Sequence, residues 1–285
     1  MTTIWAGLSV GGVYAVVALG YNIVYIGSST LNFAHANLMM LGVFLAYWGL
    51  VQLSWKIIPV LVVAVAIVAF ASMGEERVAI RPVRHIQGQL VTMVGAATLI
   101  TGIIEIVWGQ QALTVPSFFS DTPHHVLGGA VLPGDLAVIG LAVVLTAAIA
   151  LVSRLSMVGL RALAVSEDRD AAQLRGINVR RMQVGVFALA GAIAGLLGPF
   201  LGPLTFASYT LPASLAVIGF VALAIGGYGS IVATTVGAFG IGLVQQYTSR
   251  YIGANYENLM VFAILVVVLM ALPNGLAGAR RERVV

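Results

Sequence analysis

The sequence predicts an all-α polytopic membrane protein of about eight or nine transmembrane helices. Broken helices near the midplane and one short charged helix on the cytoplasmic side complete the expected fold. Three observations carry this prediction. Only 8% of the 285 residues are charged and 60% are hydrophobic, against roughly 25% charged in an ordinary soluble domain. Residues 1–55 and 182–249 carry no Asp, Glu, Lys or Arg at all, and the second of these runs has room for about three crossings of roughly 20 residues each. Finally, twelve of the 14 basic residues fall in three short segments. The polar connections between apolar runs are too short to bury a core of their own, so residues 1–285 are expected to form one transmembrane domain.

Apolar segments lie at about 4–26, 36–54, 57–73, 89–109, 134–153, 182–204, 214–228, 231–249 and 257–273. Each is expected to be helical, because an unsatisfied backbone amide in hydrocarbon costs several kcal/mol and the runs lack the alternation of barrel strands. The first run has no basic residues before it and is longer than a signal-peptide core, so it reads as a membrane segment. Arg77, Arg81 and Arg84 lie in one connection; Arg154, Arg161, Arg169, Arg175, Arg180 and Arg181 lie in another; Arg280, Arg281 and Arg283 lie in the tail. Connections 110–133 and 205–213 have no basic residue. The positive-inside bias therefore places the three basic segments in the cytoplasm and the other two outside. The charge-free stretch before Lys56 leaves the side of the N-terminus open. The pI near 9.6 follows from this topology, and no nucleic-acid partner is expected. With no cysteine in the chain, disulfides, thiolate metal sites and thiol nucleophiles are excluded.

Glycines at 191, 195, 198, 202, 237, 240 and 242 recur at spacings that let membrane helices approach closely, which reads first as packing. Two apolar stretches are interrupted by small and polar residues. "GSSTLNFAHANLMMLG" at 27–42 holds Asn32, His35 and Asn37, and "AIGGYGSIVATTVGAFG" at 224–240 holds Gly226, Gly227, Gly229 and Ser230. Broken helices lining a translocation path and ordinary surface turns both fit. The lack of any Arg in so long a connection favours the break. Taken alone, His35 reads as a hydrogen-bonded structural residue.

Enzymatic signatures are sparse. There is no H-E-x-x-H helix and no G-x-x-x-x-G-K-[ST] loop, so the chain has no Walker machinery for ATP. His124, His125 and Asp121 read as polar residues of an outer loop. Glu105 is the acidic residue inside a strongly apolar run, a place where burial costs about 2.5–3.5 kcal/mol and often marks function. It also stands about one turn from the outer end, within reach of the interface, so a place on the path and an interfacial place both fit.

"SEDRDAAQLRGINVRR" at 166–181 concentrates charge between two apolar runs. Ser166 followed by Glu167 and Asp168 reads as a capped helix start, and Arg175 with Gly176 as its stop. A helix of about nine residues is too short and polar to cross. Docking to a cytoplasmic partner is the favoured reading, and lying on anionic headgroups is the other.

"RDAAQLRGI" resembles the E-A-A-x-x-x-G loop of ABC importer permeases, with Asp170, Ala171, Ala172 and Gly176 at the matching positions and Asp in place of Glu. "GLRALAVSEDRDAAQLRGINVRRMQVGVFALAGAIAGLLGPFLGP", "LNFAHANLMMLG", "ERVAIRPVR" and "LPNGLAG" are similar, in the same order, to the branched-chain amino acid permease family of the LivH type. The resemblance implies a multi-pass permease of a bacterial or archaeal inner membrane. Such a subunit pairs with a second related permease, two cytoplasmic ATPase subunits and an extracytoplasmic substrate-binding protein. It would bind no cofactor itself, and ATP would be hydrolysed by the partners. Two departures, Ala36 where the family commonly has glycine and the lack of a basic residue in "SLAVIGF" at 214–220, bear on the substrate, since the family also handles urea, amides and small carboxylates. A self-contained channel or secondary transporter would be expected to carry more buried ionisable residues than Glu105.

Overall fold

The structure is a computed structural model that describes residues 1–83, 85–120, 122–126, 128–272 and 275–277. Arg84, Asp121, Arg280, Arg281 and Arg283, and Pro273, Asn274 and Gly278 of "LPNGLAG", lie outside the described residues. Among the described residues the chain forms helices α1 (Thr2–Ser28), α2 (His35–Tyr47), α3 (Ile57–Glu75) and α4 (Ile86–Trp108). A two-stranded hairpin follows, β1 (His124–Val126) antiparallel to β2 (Gly129–Val131). Then come α5 (Pro133–Leu155), α6 (Met157–Glu167), α7 (Arg169–Leu174), α8 (Val179–Thr205), α9 (Leu211–Gly226), α10 (Ile231–Tyr251) and α11 (Glu257–Ala271). Nine of these helices coincide with the nine apolar runs. Six are long and apolar enough to cross a membrane by themselves. Of the other three, α2 is extended by a π-helical turn over Trp48–Gln52, α9 has 16 residues and α10 has 21.

Helix ends meet in two groups. At one end the Trp5 indole N–H donates to the Val126 carbonyl, Arg250 donates to Thr3 Oγ1, and Leu113 pairs through its backbone with Ala207. At the other end Ser29 Oγ donates to the Val165 carbonyl and Asn32 donates to Glu75. The second end holds the basic connections and is therefore cytoplasmic. The nine long helices alternate between these ends from α1 onward, so all three early segments cross and the N-terminus lies outside. Lys56 and Arg250 are the described basic residues at the outer end.

The helices differ in what they touch. α1 and α8 are largely buried, whereas α4, α5 and α11 expose rows of Val, Leu and Ile such as Ile106, Val144 and Val267, as required of a face that meets lipid or another apolar chain. Glycine makes the tight crossings. A Cβ on Gly195 would lie 2.5 Å from the Ala64 carbonyl oxygen of α3, one on Gly198 would lie 2.3 Å from the Gly42 carbonyl carbon of α2, and one on Gly242 would lie 2.3 Å from the Gly11 nitrogen of α1. These stripes are packing surfaces, as small residues at this spacing permit.

Both polar interruptions are reversals between antiparallel helices and not breaks within one crossing helix, so the breaks expected near the midplane are not formed at these two stretches. His35, the first residue of α2, packs on Gly20, and the Gly229 amide donates to Asn22 Oδ1. Gly20 and Asn22 precede the end of α1 at Ser28 by a distance of about 9–12 Å at 1.5 Å per residue. The start of α2 and the second reversal are thus recessed to about the same depth in the cytoplasmic part of the bundle, short of the inner end that loop 29–34 reaches. The cause is the length of α1: its 27 residues run past the points where α2 begins and α9 ends.

Candidate coupling surface and inner polar cluster

The charged island folds differently in detail from its sequence signature. Ser166 does not cap a helix; its hydroxyl donates back to the Leu163 carbonyl inside α6. α6 starts instead at Ser156, whose Oγ accepts from the Gly159 amide, and continues through Glu167 because Ala162 and Val165 are buried. The break comes at Asp168, in extended conformation (φ −149°, ψ 108°), where the carboxylate accepts from the Asp170 and Ala171 amides at 2.9 Å. A carboxylate so placed satisfies two of the amide groups that every helix start leaves free. The resulting α7 has six residues, Arg169–Leu174, rather than the nine expected from Glu167 to Arg175. Gly176 ends the motif at φ 82°, as the stop signal requires. The Asn178 side chain then caps α8 by accepting from the Arg181 amide.

One face of α7 is fastened and the other is free. Ala172 is buried against Val165 of α6 and Val179 of α8, and Arg169 donates to Gln183 Oε1 of α8 at 3.2 Å. Glu167, Asp168, Asp170, Ala171, Arg175 and Gly176 are exposed, and Leu174 projects from the same segment with 90% of its surface open. A rigid, capped element with an apolar knob among opposite charges is a surface that another protein can grip.

The first polar interruption contains a cluster. Asn32 Nδ2 donates to Glu75 Oε2 at 2.9 Å, while its Oδ1 accepts from the Ala34 amide. His35 follows, wholly buried, with its ring edge-on to Tyr21 at 5.3 Å between centroids. Among the described residues, both His35 nitrogens and Glu75 Oε1 lack hydrogen-bond partners. The hydrogen bonds expected of His35 are thus not made to any described residue, and its ring packs on Gly20. Asn37 turns elsewhere, donating to Thr101 Oγ1 and the Ala97 carbonyl of α4.

The second interruption is a turn over Gly226, Gly227, Gly229 and Ser230. Gly227 and Gly229 take positive φ, and Asn22 of α1 ties the turn by accepting from Gly229 and donating to Thr234. Gly226 and Gly227 are buried, Gly229 and Ser230 half-buried. Glu105 stands apart from both reversals. It lies half-buried at the outer end of α4, with Gln110 donating to its Oε2. Sequence reasoning missed Glu75: in "GEERVAIRPVR" it reads as one of several charges in a cytoplasmic connection, and its burial beside Asn32 shows only once the helices are packed. Asn22 was missed for a related reason, since a lone amide inside an apolar run shows no partner in sequence. Gly7, Ser9 and Gly11 form G-x-S-x-G spacing, but they lie within α1, where Ser9 donates to Asp135 Oδ1 rather than standing on a strand-to-helix elbow.

A helical multi-pass bundle with polar reversals and a fastened, capped helix projecting from its basic end defines a membrane protein of the transport permease class. Residues 3–269 match the family model described as branched-chain amino acid transport system, permease component. The chain belongs to that family. It is 28% identical to the high-affinity branched-chain amino acid transport system permease protein LivH of Escherichia coli (strain K12), over 95% of this chain and 93% of the relative. It is 25% identical to the corresponding protein BraD of Pseudomonas aeruginosa, over 95% and 94%. In fold it is similar to PsaBC from Streptococcus pneumoniae in complex with Fab, with a TM-score of 0.53 over 96% of this chain and 91% of that one at 11% identity. The protein is thus a multi-pass permease component of the inner membrane.

Proposed function

We propose that this chain forms, with a second related permease subunit, the translocation path of an ABC importer for branched-chain or related small amino acids. Two cytoplasmic ATPase subunits hydrolyse the ATP, and an extracytoplasmic binding protein delivers the substrate to the outer end. The chain itself is non-catalytic and binds no cofactor. The observation that carries this reading is the α6–α7 unit: a chain without a phosphate loop must receive its driving force by contact, and α7 is both fastened to α8 and exposed on its free face. The full-length match to the permease family supports the same reading. Asp170, Ala171, Ala172 and Gly176 form the loop that engages the ATPase, with Glu167, Asp168 and Arg175 beside it. The two reversals, with Asn32, His35 and Gly226 to Ser230, lie next to the path in its cytoplasmic part. Glu105 is left as an outer interfacial residue.

The test is purification of the chain with its soluble partners, identification of the ligand held by the binding protein, and uptake into proteoliposomes. Leucine, isoleucine or valine uptake that needs ATP inside and binding protein outside is expected. Uptake of urea, amides or small carboxylates instead would replace the substrate class, and uptake without ATP would overturn the importer reading.

A further inference from the structure

The polar cluster at the first reversal has a mechanical neighbour. α6 joins α7 at Asp168 without a spacer, and Ala162 of α6 packs with Leu19 and Ile26 of α1 and Ile231 of α10. From the same helix, the Val165 carbonyl accepts from Ser29 Oγ at 3.3 Å. Ser29 is the left-handed residue (φ 56°) that ends α1 and opens the loop 29–34. Three residues on, Asn32 bonds with its two ends to different elements: Oδ1 to the start of α2 through Ala34, and Nδ2 to the carboxylate of Glu75 at the foot of α3. α7 therefore has a path to the feet of α2 and α3 through two side-chain hydrogen bonds, joined by the short stretch of loop from Ser29 to Asn32.

We propose that Ser29, Asn32 and Glu75 form an inner latch that the coupling helix α7 works, holding the feet of α1, α2 and α3 together at rest and parting when α7 is driven by its partner. The proposal rests on the coupling reading of α7. Latch and bundle core are built differently. Within the core, polar side chains such as Asn22 and Gln245 have partners at both ends, among apolar contacts and close glycine crossings. At the latch, Glu75 Oε1 and both His35 nitrogens are buried without a partner among the described residues, and an arrangement that water reaches would satisfy them. Such an element has two competing arrangements, which a coupling device requires. Asn32 and Glu75 act here as positioning residues.

The experiment uses the complete complex, with ATPase subunits and binding protein, in proteoliposomes. It reads substrate moved per ATP hydrolysed and the stimulation of hydrolysis by loaded binding protein. Asn32→Ala and Glu75→Ala are expected to lower the transport ratio five-fold or more while hydrolysis proceeds without need of loaded binding protein. Glu75→Gln, whose side-chain oxygen can still accept from Asn32, is expected to recover at least half of the wild-type ratio. As a second readout, Ala34→Cys places the only thiol of this chain in the buried loop. Its reaction with N-ethylmaleimide is expected to change ten-fold or more between nucleotide-free and ATP-bound complex. A wild-type ratio in Asn32→Ala, or equal labelling of Ala34→Cys in the two states, would overturn the latch. If Gly176→Pro and Asp170→Lys uncouple the complex while Asn32→Ala does not, the latch alone fails; if those two variants also stay coupled, the reading of α7 fails with it.

Discussion

Gly240 and Gly242 stand two residues apart on α10 and meet different surroundings. A Cβ at Gly242 would lie 2.3 Å from the Gly11 nitrogen and 2.5 Å from its Cα, both backbone atoms of α1, whereas a Cβ at Gly240 would meet nothing within 4 Å. Gly242→Ala is therefore expected to spread α1 from α10 and to destabilise the protein by about 1–3 kcal/mol, the ordinary range for overpacking. Gly240→Ala is expected to be neutral, or stabilising by up to about 1 kcal/mol through helix propensity. Thermal midpoints of the two variants in the same detergent check the pair, and an equal loss in both would count against the close crossing. The consequences of such a crossing extend past the glycine itself. The pairing of α1 with α10 sets the height of Asn22 beside Gly229, and so the depth of the second reversal.

At the scale of elements, α7 depends on Asp168 and not on Ser166. Asp168→Ala removes the acceptor of two amides and is expected to destabilise the helix start by about 1 kcal/mol, lowering stimulation of hydrolysis by loaded binding protein in the assembled complex. Ser166→Ala removes only a bond to the preceding turn and should leave stimulation at the wild-type level. Loss of stimulation in Ser166→Ala with none in Asp168→Ala would reverse the assignment. The existence, side and stop of this element were legible in the sequence, since charge density, the positive-inside bias and the Gly176 stop are local signals. Its start was not. Ser166 and Asp168 are both competent capping residues in sequence, and the choice between them is made by the burial of Ala162 and Val165, which carries α6 as far as Glu167. Glu75 and Asn22 were hidden for the same reason: each has its partner more than forty residues away.

Over the whole molecule the nine apolar runs became nine helices because backbone satisfaction in hydrocarbon leaves no other local choice. What the runs could not show was how the helices stand in depth against one another. The recess of the α2 start and of the second reversal follows from the length of α1 and from two contacts made far apart in sequence, His35 on Gly20 and Gly229 with Asn22. The side of the N-terminus was likewise unreadable in a stretch without charge, and it is fixed by the packing of residues 1 and 2 on Gly129 of the outer hairpin and by the Trp5 bond to Val126. That arrangement makes a prediction which charge counting alone does not. The chain has no cysteine, so single thiols report one site each. Ser120→Cys, in the outer connection, and Thr2→Cys, beside the hairpin, are both exposed in the structure, and Gln173→Cys is exposed on α7 at the other end. In spheroplasts an impermeant maleimide should label the first two, and label Gln173→Cys only after the membrane is opened. If Thr2→Cys behaves like Gln173→Cys, one of the first three helices fails to cross and the antiparallel pairing of α1 with α10 is wrong; if all three label from outside, the positive-inside orientation falls as well.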